Sequence, residues 1–238
     1  MESWLQVGDV RLDAYFQRYH VEGDELSVVG ELLTKPAGDI APQSYFSQLP
    51  LGDQFEILQW HLGLSSQMAE QFDASISINV HNSLVEHEKD RNRFLEILSA
   101  ATVPVLLEFT EDYPMPVVES SNHFLREIRE LGHRSALDDF GTGHNGMSLL
   151  TDYDFDVVKI DRSLIANLMS SPERQKLIKL LSQFLDVLGK DRVVEGIEDQ
   201  DVYRYLVEAG FTSFQGFLFH RPEPLAKLLS ETSVGAES

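Results

Sequence analysis

Two adjacent carboxylates, Asp138 and Asp139, close a short apolar run and are followed at once by Phe140-Gly141-Thr142-Gly143. Acids brought together at a strand end repel one another unless a cation or a proton offsets their charge. The pair points to a metal site, and other apolar runs end in compatible residues. Asn79 closes Ser75-Ile76-Ser77-Ile78, and Glu108 closes Val105-Leu106-Leu107, with Glu111 soon after. Lys159 follows Val157-Val158, and Glu195 follows Arg192-Val193-Val194, with Glu198 three residues on. Glu31 lies towards the end of an N-terminal run, and Gln215 begins or lies within the last one. Glu31, Asn79, Glu108, Asp138, Asp139 and Glu195 form an all-oxygen set suited to hard cations such as Mg²⁺ or Mn²⁺. Two such ions can share one aspartate, as in two-metal phosphoesterases.

These residues need elements that bring distant chain positions together. The β-rich runs are Ala74–Val80, Val103–Thr110, Arg134–Asp139, Asp156–Asp161, Arg192–Gly196 and Ser213–Phe219. Helical patterns fall between them, at about 116–131, 172–188 and 201–209. In the second of these, Leu177, Leu180, Leu181, Phe184, Leu185 and Leu188 read as one apolar stripe. Strands alternating with helices imply βαβ units and a parallel sheet. The N-terminal part differs. Arg11–Tyr19 and Glu25–Leu33 read as a hairpin around Glu22-Gly23-Asp24, so one strand is expected to run antiparallel. A helix over about 53–71, burying Phe55, Leu58, Leu62 and Met68, follows a Pro- and Gly-containing connection over 36–51. In an α/β barrel the C-terminal strand ends converge on one face, where the polar residues above would meet.

Each residue also has a plain structural reading. A lone Asn after a strand is usually a turn residue, and a lone Glu is usually solvated. Six at successive strand ends are hard to assign to accident. Asp-Phe-Gly also occurs in protein kinases, but no Gly-rich nucleotide loop, Val-Ala-Ile-Lys strand or His-Arg-Asp loop accompanies it. The eight histidines show no metal-ligand spacing. There is no cysteine, which excludes disulfides and thiolate ligands. The formal net charge of -20 argues against a general DNA- or RNA-duplex-binding surface. No signal peptide is visible, and no apolar stretch is long enough to span a bilayer. The expectation is a soluble, cytoplasmic chain of 238 residues forming one domain, with its core over about 11–230.

In the order and spacing of these motifs, from about Tyr15 to Pro224, the chain resembles the EAL domain family of bacterial cyclic di-GMP phosphodiesterases. Glu31-Leu32-Leu33 stands where that family has Glu-Ala-Leu, and Asn79 stands in its Asn strand. Glu108-Phe109-Thr110-Glu111 looks like Glu-Ile-Thr-Glu. Asp138-Asp139-Phe140-Gly141-Thr142-Gly143 matches the central motif, and Lys159-Ile160-Asp161 matches Lys-Ile-Asp. Glu195-Gly196-Ile197-Glu198 looks like Glu-Gly-Val-Glu, and Gln215-Gly216-Phe217 like Gln-Gly-Tyr.

The resemblance implies a (β/α)8 TIM-like barrel with one antiparallel strand, hydrolysing cyclic di-GMP to linear pGpG with two Mg²⁺ or Mn²⁺ ions. It places Glu31, Asn79, Glu108 and Asp138 on the first ion, and Asp138, Asp139 and Glu195 on the second. Lys159 would orient the attacking water or steady phosphate charge, Glu195 would assist deprotonation, and Glu198 and Gln215 would hold water. Glu111 would anchor the loop after Gly143, which in the family contributes to dimerisation, so a homodimer is implied. Gln17 and Lys35 would contact substrate. Lys35 stands where the family has arginine, and lysine lacks the two-pronged fork that clamps a phosphate. Gln17 is followed by Arg18-Tyr19 in place of Pro-Ile, the segment after Lys35 is short, and His144-Asn145-Gly146 replaces Tyr-Ser-Ser. No diguanylate cyclase or sensory domain is seen, which leaves regulation to partners, expression or oligomeric state. The alternative function is a non-catalytic module that binds cyclic di-GMP or a protein partner.

Overall fold

Alternation of apolar residues with period two produces eleven strands among the described residues, which are 1–23, 28–72, 75–110, 117–142 and 146–234 of this computed structural model. The strands are β1 (Trp4–Val7), β2 (Val10–Arg18), β3 (His20–Val21), β4 (Val28–Pro36), β5 (Ser75–Val80), β6 (Val105–Thr110), β7 (Arg134–Phe140), β8 (Val157–Ile160), β9 (Asp191–Val194), β10 (Ser213–Phe214) and β11 (Glu223–Pro224). From β4 to β10 each strand pairs in parallel with the next. β3 continues β2 after one residue, Tyr19. β2 pairs antiparallel with β4, and β3 pairs antiparallel with β10. This shared stave closes the ring, giving the expected barrel with one antiparallel strand position. The short strands β1 and β11 add to β2 outside the ring.

Inward and outward residues alternate along each stave. Leu107, Phe109, Leu137, Val158 and Ile160 face outward into the main apolar core beneath the helices. Tyr19, Val28, Leu106, Ala136, Val157 and Val193 face inward and form a separate apolar cluster inside the ring. The helices that cover the barrel are 51–72, 88–99, 118–130, 172–188 and 200–208. Ser171 and Asp199 cap two of them by accepting backbone N–H groups. Gly189, at φ 63°, ends helix 172–188 in the left-handed conformation that glycine tolerates best.

Several expectations shift. Helix 172–188 buries Ile178, Leu181 and Leu185, whereas Leu177 and Leu180 are 54% and 61% exposed. The single stripe read from the sequence is therefore divided between a buried face and an outward one. The run Ser213–Phe219 is a strand only at Ser213–Phe214. At Gly216 the chain passes so close to Ile197 that a Cβ would lie 2.1 Å from the Ile197 carbonyl oxygen. Leu218 then donates its N–H to that oxygen, which draws the chain out of the sheet. The connection over 36–51 contains a short helix, Pro42–Phe46. In the expected hairpin, 24–27 lie outside the described residues.

Candidate active site

Lys159 organises the interior at the C-terminal end of the barrel strands. Its ammonium, on β8 and 1% exposed, lies 2.7 Å from Glu195 Oε1, 2.8 Å from Glu108 Oε2, 3.1 Å from Asp138 Oδ1 and 3.4 Å from Glu31 Oε2. Burial opposes the lysine charge, but Asp138, Glu108, Glu195 and Glu31 outweigh it and hold the pKa well above that of an ordinary lysine. Burial also pushes the Glu195 carboxyl up to about 8, with Lys159 opposing the shift. Glu108 and Asp138 are raised for the same first reason, burial, and by neighbouring acids. Glu31 goes the other way. Burial raises it, but Lys159 and hydrogen bonds from Gln215 and Asn79 hold it below the usual glutamate value.

The hydrogen bonds fix the carboxylates individually. Asn79 donates to Glu31 Oε1 at 2.6 Å, and Gln215 donates to Glu31 Oε2 at 2.8 Å. Gln215 also donates to Gln17 Oε1 at 3.1 Å, and Gln17 donates to the His220 carbonyl. Glu108 Oε1 accepts from Tyr19 at 3.0 Å and from Ser77. The parallel register sets Asn79 opposite Glu108. Ser77, two residues before Asn79, therefore faces the same interior. Sequence reasoning missed Tyr19 and Ser77, although each lies two residues from a chosen residue on its strand stave.

Adjacent residues of a regular strand point to opposite faces. Asp138 and Asp139 nevertheless reach one point. Asp139 has φ 56°, and the pairing of β7 with β8 shifts register between Leu137 and Phe140. This break at the end of β7 lets one ligand oxygen each of Asp138, Asp139 and Glu195 lie within 4.8 Å of one another. Asp138 Oδ1 and Gln215 Oε1 are buried and accept no hydrogen bond of good geometry among the described residues. Three converging carboxylates, with one ammonium shared among them, fit a hard divalent cation.

A cavity of about 300 Å³ opens over this cluster, lined by Gln17, Glu31, Asp138, Asp139, Lys159, Glu195, Gly196, Glu198, Gln215, Gly216, Phe217 and one residue not named from the sequence, Arg162. A second cavity of about 650 Å³ shares Asp139 and is lined by Asn79, Phe46, Ile57, Leu58 and His61 among others. Lys35 lines neither and is exposed on β4 opposite Asp13. Glu111, His144 and Asn145 lie outside the described residues.

The EAL domain family model matches residues 35–222. The chain belongs to the EAL domain family. The match begins at Lys35, so the placing of Glu31 and Gln17 in the family pattern rests on the motifs and on the geometry above. The chain is 32% identical over 197 residues to the cyclic di-GMP phosphodiesterase PdeB of Shewanella oneidensis, covering 80% of this chain and 23% of that protein. A protein of Sinorhizobium fredii, y4lL, is 32% identical over 196 residues, covering 79% of the chain and 23% of that protein. The chain thus spans about a quarter of the length of these curated relatives. Among solved structures, an EAL domain protein from Listeria monocytogenes EGD-e superposes with a TM-score of 0.79 at 25% identity, covering 94% of this chain and 93% of that one. The manganese and cyclic di-GMP complex of Klebsiella pneumoniae BlrP1 at pH 9.0 gives a TM-score of 0.76 at 26% identity, covering 92% and 57%.

Proposed function

We propose that the chain is a metal-dependent phosphodiesterase that hydrolyses cyclic di-GMP to linear pGpG. The observation that carries this reading is the convergence of Asp138, Asp139 and Glu195 beside Lys159 in the cavity at the strand ends. Two similar proteins bear on the substrate. PdeB is named for this activity, and BlrP1 was crystallised with manganese and cyclic di-GMP.

Mg²⁺ or Mn²⁺ would be held by Asp138, Asp139 and Glu195, with Glu31, Asn79 and Glu108 as the second set around Asp138. A bound divalent cation supplies Lewis-acid stabilisation of phosphate charge and lowers the pKa of water. The protein's own groups do the rest. Glu195, beside Lys159 at the cavity wall, would assist deprotonation of the attacking water. Lys159 balances the acids and keeps a fixed positive charge beside the phosphate that is attacked. Gln215, held by Gln17 and Glu31, presents its free Oε1 to a water hydrogen. Glu198 stands at the cavity wall as a second acceptor for water. Gln17, at the cavity wall, contacts substrate in this reading, whereas Lys35 lines neither cavity and would need a substrate that extends beyond them; Glu111 would anchor the loop that follows Gly143.

The test is product analysis after incubation of purified protein with cyclic di-GMP and Mg²⁺ or Mn²⁺. Linear pGpG is expected from the wild type and is lost in Glu31→Ala and Glu195→Ala. Tight binding by calorimetry without product would favour the non-catalytic module instead.

We extend the proposal to one domain with its core over about 11–230, a cytoplasmic location and a homodimer. No helix among the described residues is long and apolar enough to cross a membrane. The net charge of -20 disfavours nucleic-acid duplexes and anionic membrane surfaces as partners. Leu177, Leu180 and Val187 on the outward face of helix 172–188 are 54%, 61% and 82% exposed, an apolar surface of the kind that self-association covers. Light scattering showing only monomer at high concentration would count against the dimer.

A further inference from the structure

An anionic substrate entering this cavity meets five carboxylates and two cations among the lining residues, Lys159 and Arg162. Lys159 is already committed, with four carboxylates within 3.4 Å of its ammonium. Arg162 is not. Among the described residues its guanidinium takes part in no ion pair and no hydrogen bond, so it stands outside ion-pair range of Glu195, Asp138 and Asp139. Its stem is nevertheless fixed. Gly196, at φ 66°, packs so closely that a Cβ there would lie 2.5 Å from Arg162 Cβ and 3.1 Å from Cδ. The glycine of Glu195-Gly196-Ile197-Glu198 thus makes room for the arginine stem at the cavity wall.

We propose that Arg162 is a substrate-positioning residue that holds the phosphate of the cyclic dinucleotide that is not cleaved. A cyclic dinucleotide carries two phosphates. One must reach the acid cluster, and the other needs a counter-charge set apart from it. A planar guanidinium can grip that phosphate with two parallel N–H donors. Lys35, on the exposed end of β4, lines neither cavity and lacks that fork. The inference rests on the phosphodiesterase reading, since it takes the substrate to be a cyclic dinucleotide.

Arg162→Met keeps the stem against Gly196 and removes the charge. Its unfolding midpoint is expected to match the wild type, since the side chain is exposed. With cyclic di-GMP and saturating Mn²⁺, KM is expected to rise about 10- to 100-fold with kcat within about threefold. Arg162→Lys should recover part of that loss. With bis(p-nitrophenyl) phosphate, which has a single phosphodiester and no second phosphate, kcat/KM should stay at the wild-type value. An unchanged KM for cyclic di-GMP overturns the proposal. So does an equal fall with both substrates, which would place Arg162 on the phosphate that reacts. If the wild type proves to bind cyclic di-GMP without cleaving it, the phosphodiesterase reading fails by itself. Calorimetry of Arg162→Met then decides about the arginine, with a 10- to 100-fold weaker Kd supporting it and an equal Kd overturning it. A wild type that neither binds nor cleaves overturns both.

Discussion

Inside the barrel, two layers of side chains come from the same strands and lie two residues apart. The lower layer is Leu106, Ala136, Val157 and Val193, packed with Tyr19 and Val28. The upper layer is Glu108, Asp138, Lys159 and Glu195, joined by Glu31. Strand alternation sends residue i and residue i+2 to the same side whatever their chemistry. One step along each strand therefore changes the interior from apolar packing to five paired charges. Fully burying a large apolar side chain stabilises the fold by about 1.5–3 kcal/mol. Desolvating each ion of the upper layer costs several kcal/mol, and only mutual pairing offsets it. The lower layer serves stability, and the upper layer is tolerated because Lys159 touches all four acids while burial favours the neutral form of Glu108, Asp138 and Glu195.

The largest break in this comparison comes from Lys159→Met. It leaves Glu31, Glu108, Asp138 and Glu195 facing one another without a counter-charge. Turnover of cyclic di-GMP is expected to fall at least about 10³-fold, and stability in EDTA by about 3–5 kcal/mol. Adding Mn²⁺ should restore part of the stability but not the turnover, as read from urea midpoints and product formation. The lower layer should behave in the opposite way. Leu106→Ala is expected to cost about 2–5 kcal/mol, with kcat within about threefold at a temperature where the protein stays folded. A large loss of kcat there would show that the layers are not separable.

A third region sharpens the contrast. His61, from helix 51–72, is buried near the second cavity and bonds to Thr34 at 2.6 Å. Among the described residues it has no charged partner to favour its protonated form, and burial pushes its pKa down from 6.5 to about 4. The unfolded chain therefore binds this proton first. The contribution to stability is complete above about pH 6.5 and is lost as the pH falls towards about 4, amounting to about 3 kcal/mol at most. His61→Gln should flatten that part of the stability profile in urea titrations between about pH 7.5 and 4.5.

The strand-end polar residues were legible in the sequence because apolar runs that stop at Asn79, Glu108, Asp138, Lys159 and Glu195 carry both the period of a strand and its terminus. The parallel order of the strands followed from the helices between them. The meeting of Asp138 with Asp139 was not legible, because it depends on a left-handed φ at Asp139 and a register shift that no periodicity records. Arg162 was missed for a related reason. Its place at the cavity follows from Gly196, which is 34 positions away and in contact only after folding. Leu177 and Leu180 were read into one stripe with Leu181 and Leu185 because an apolar residue on a helix gives the same signal whether it faces the core or the surface. The early end of β10 depends on the contact of Gly216 with Ile197, another pairing between distant segments.

The central claim is that the upper layer performs the reaction and the lower layer only supports it. The most direct measurement compares wild type, Leu106→Ala and Lys159→Met in one assay with cyclic di-GMP and saturating Mn²⁺, at a temperature where all three are folded. Linear pGpG is expected from the first two at rates within about threefold of each other, and essentially none from Lys159→Met. An intact dinucleotide with the wild type, or wild-type turnover by Lys159→Met, would contradict the account.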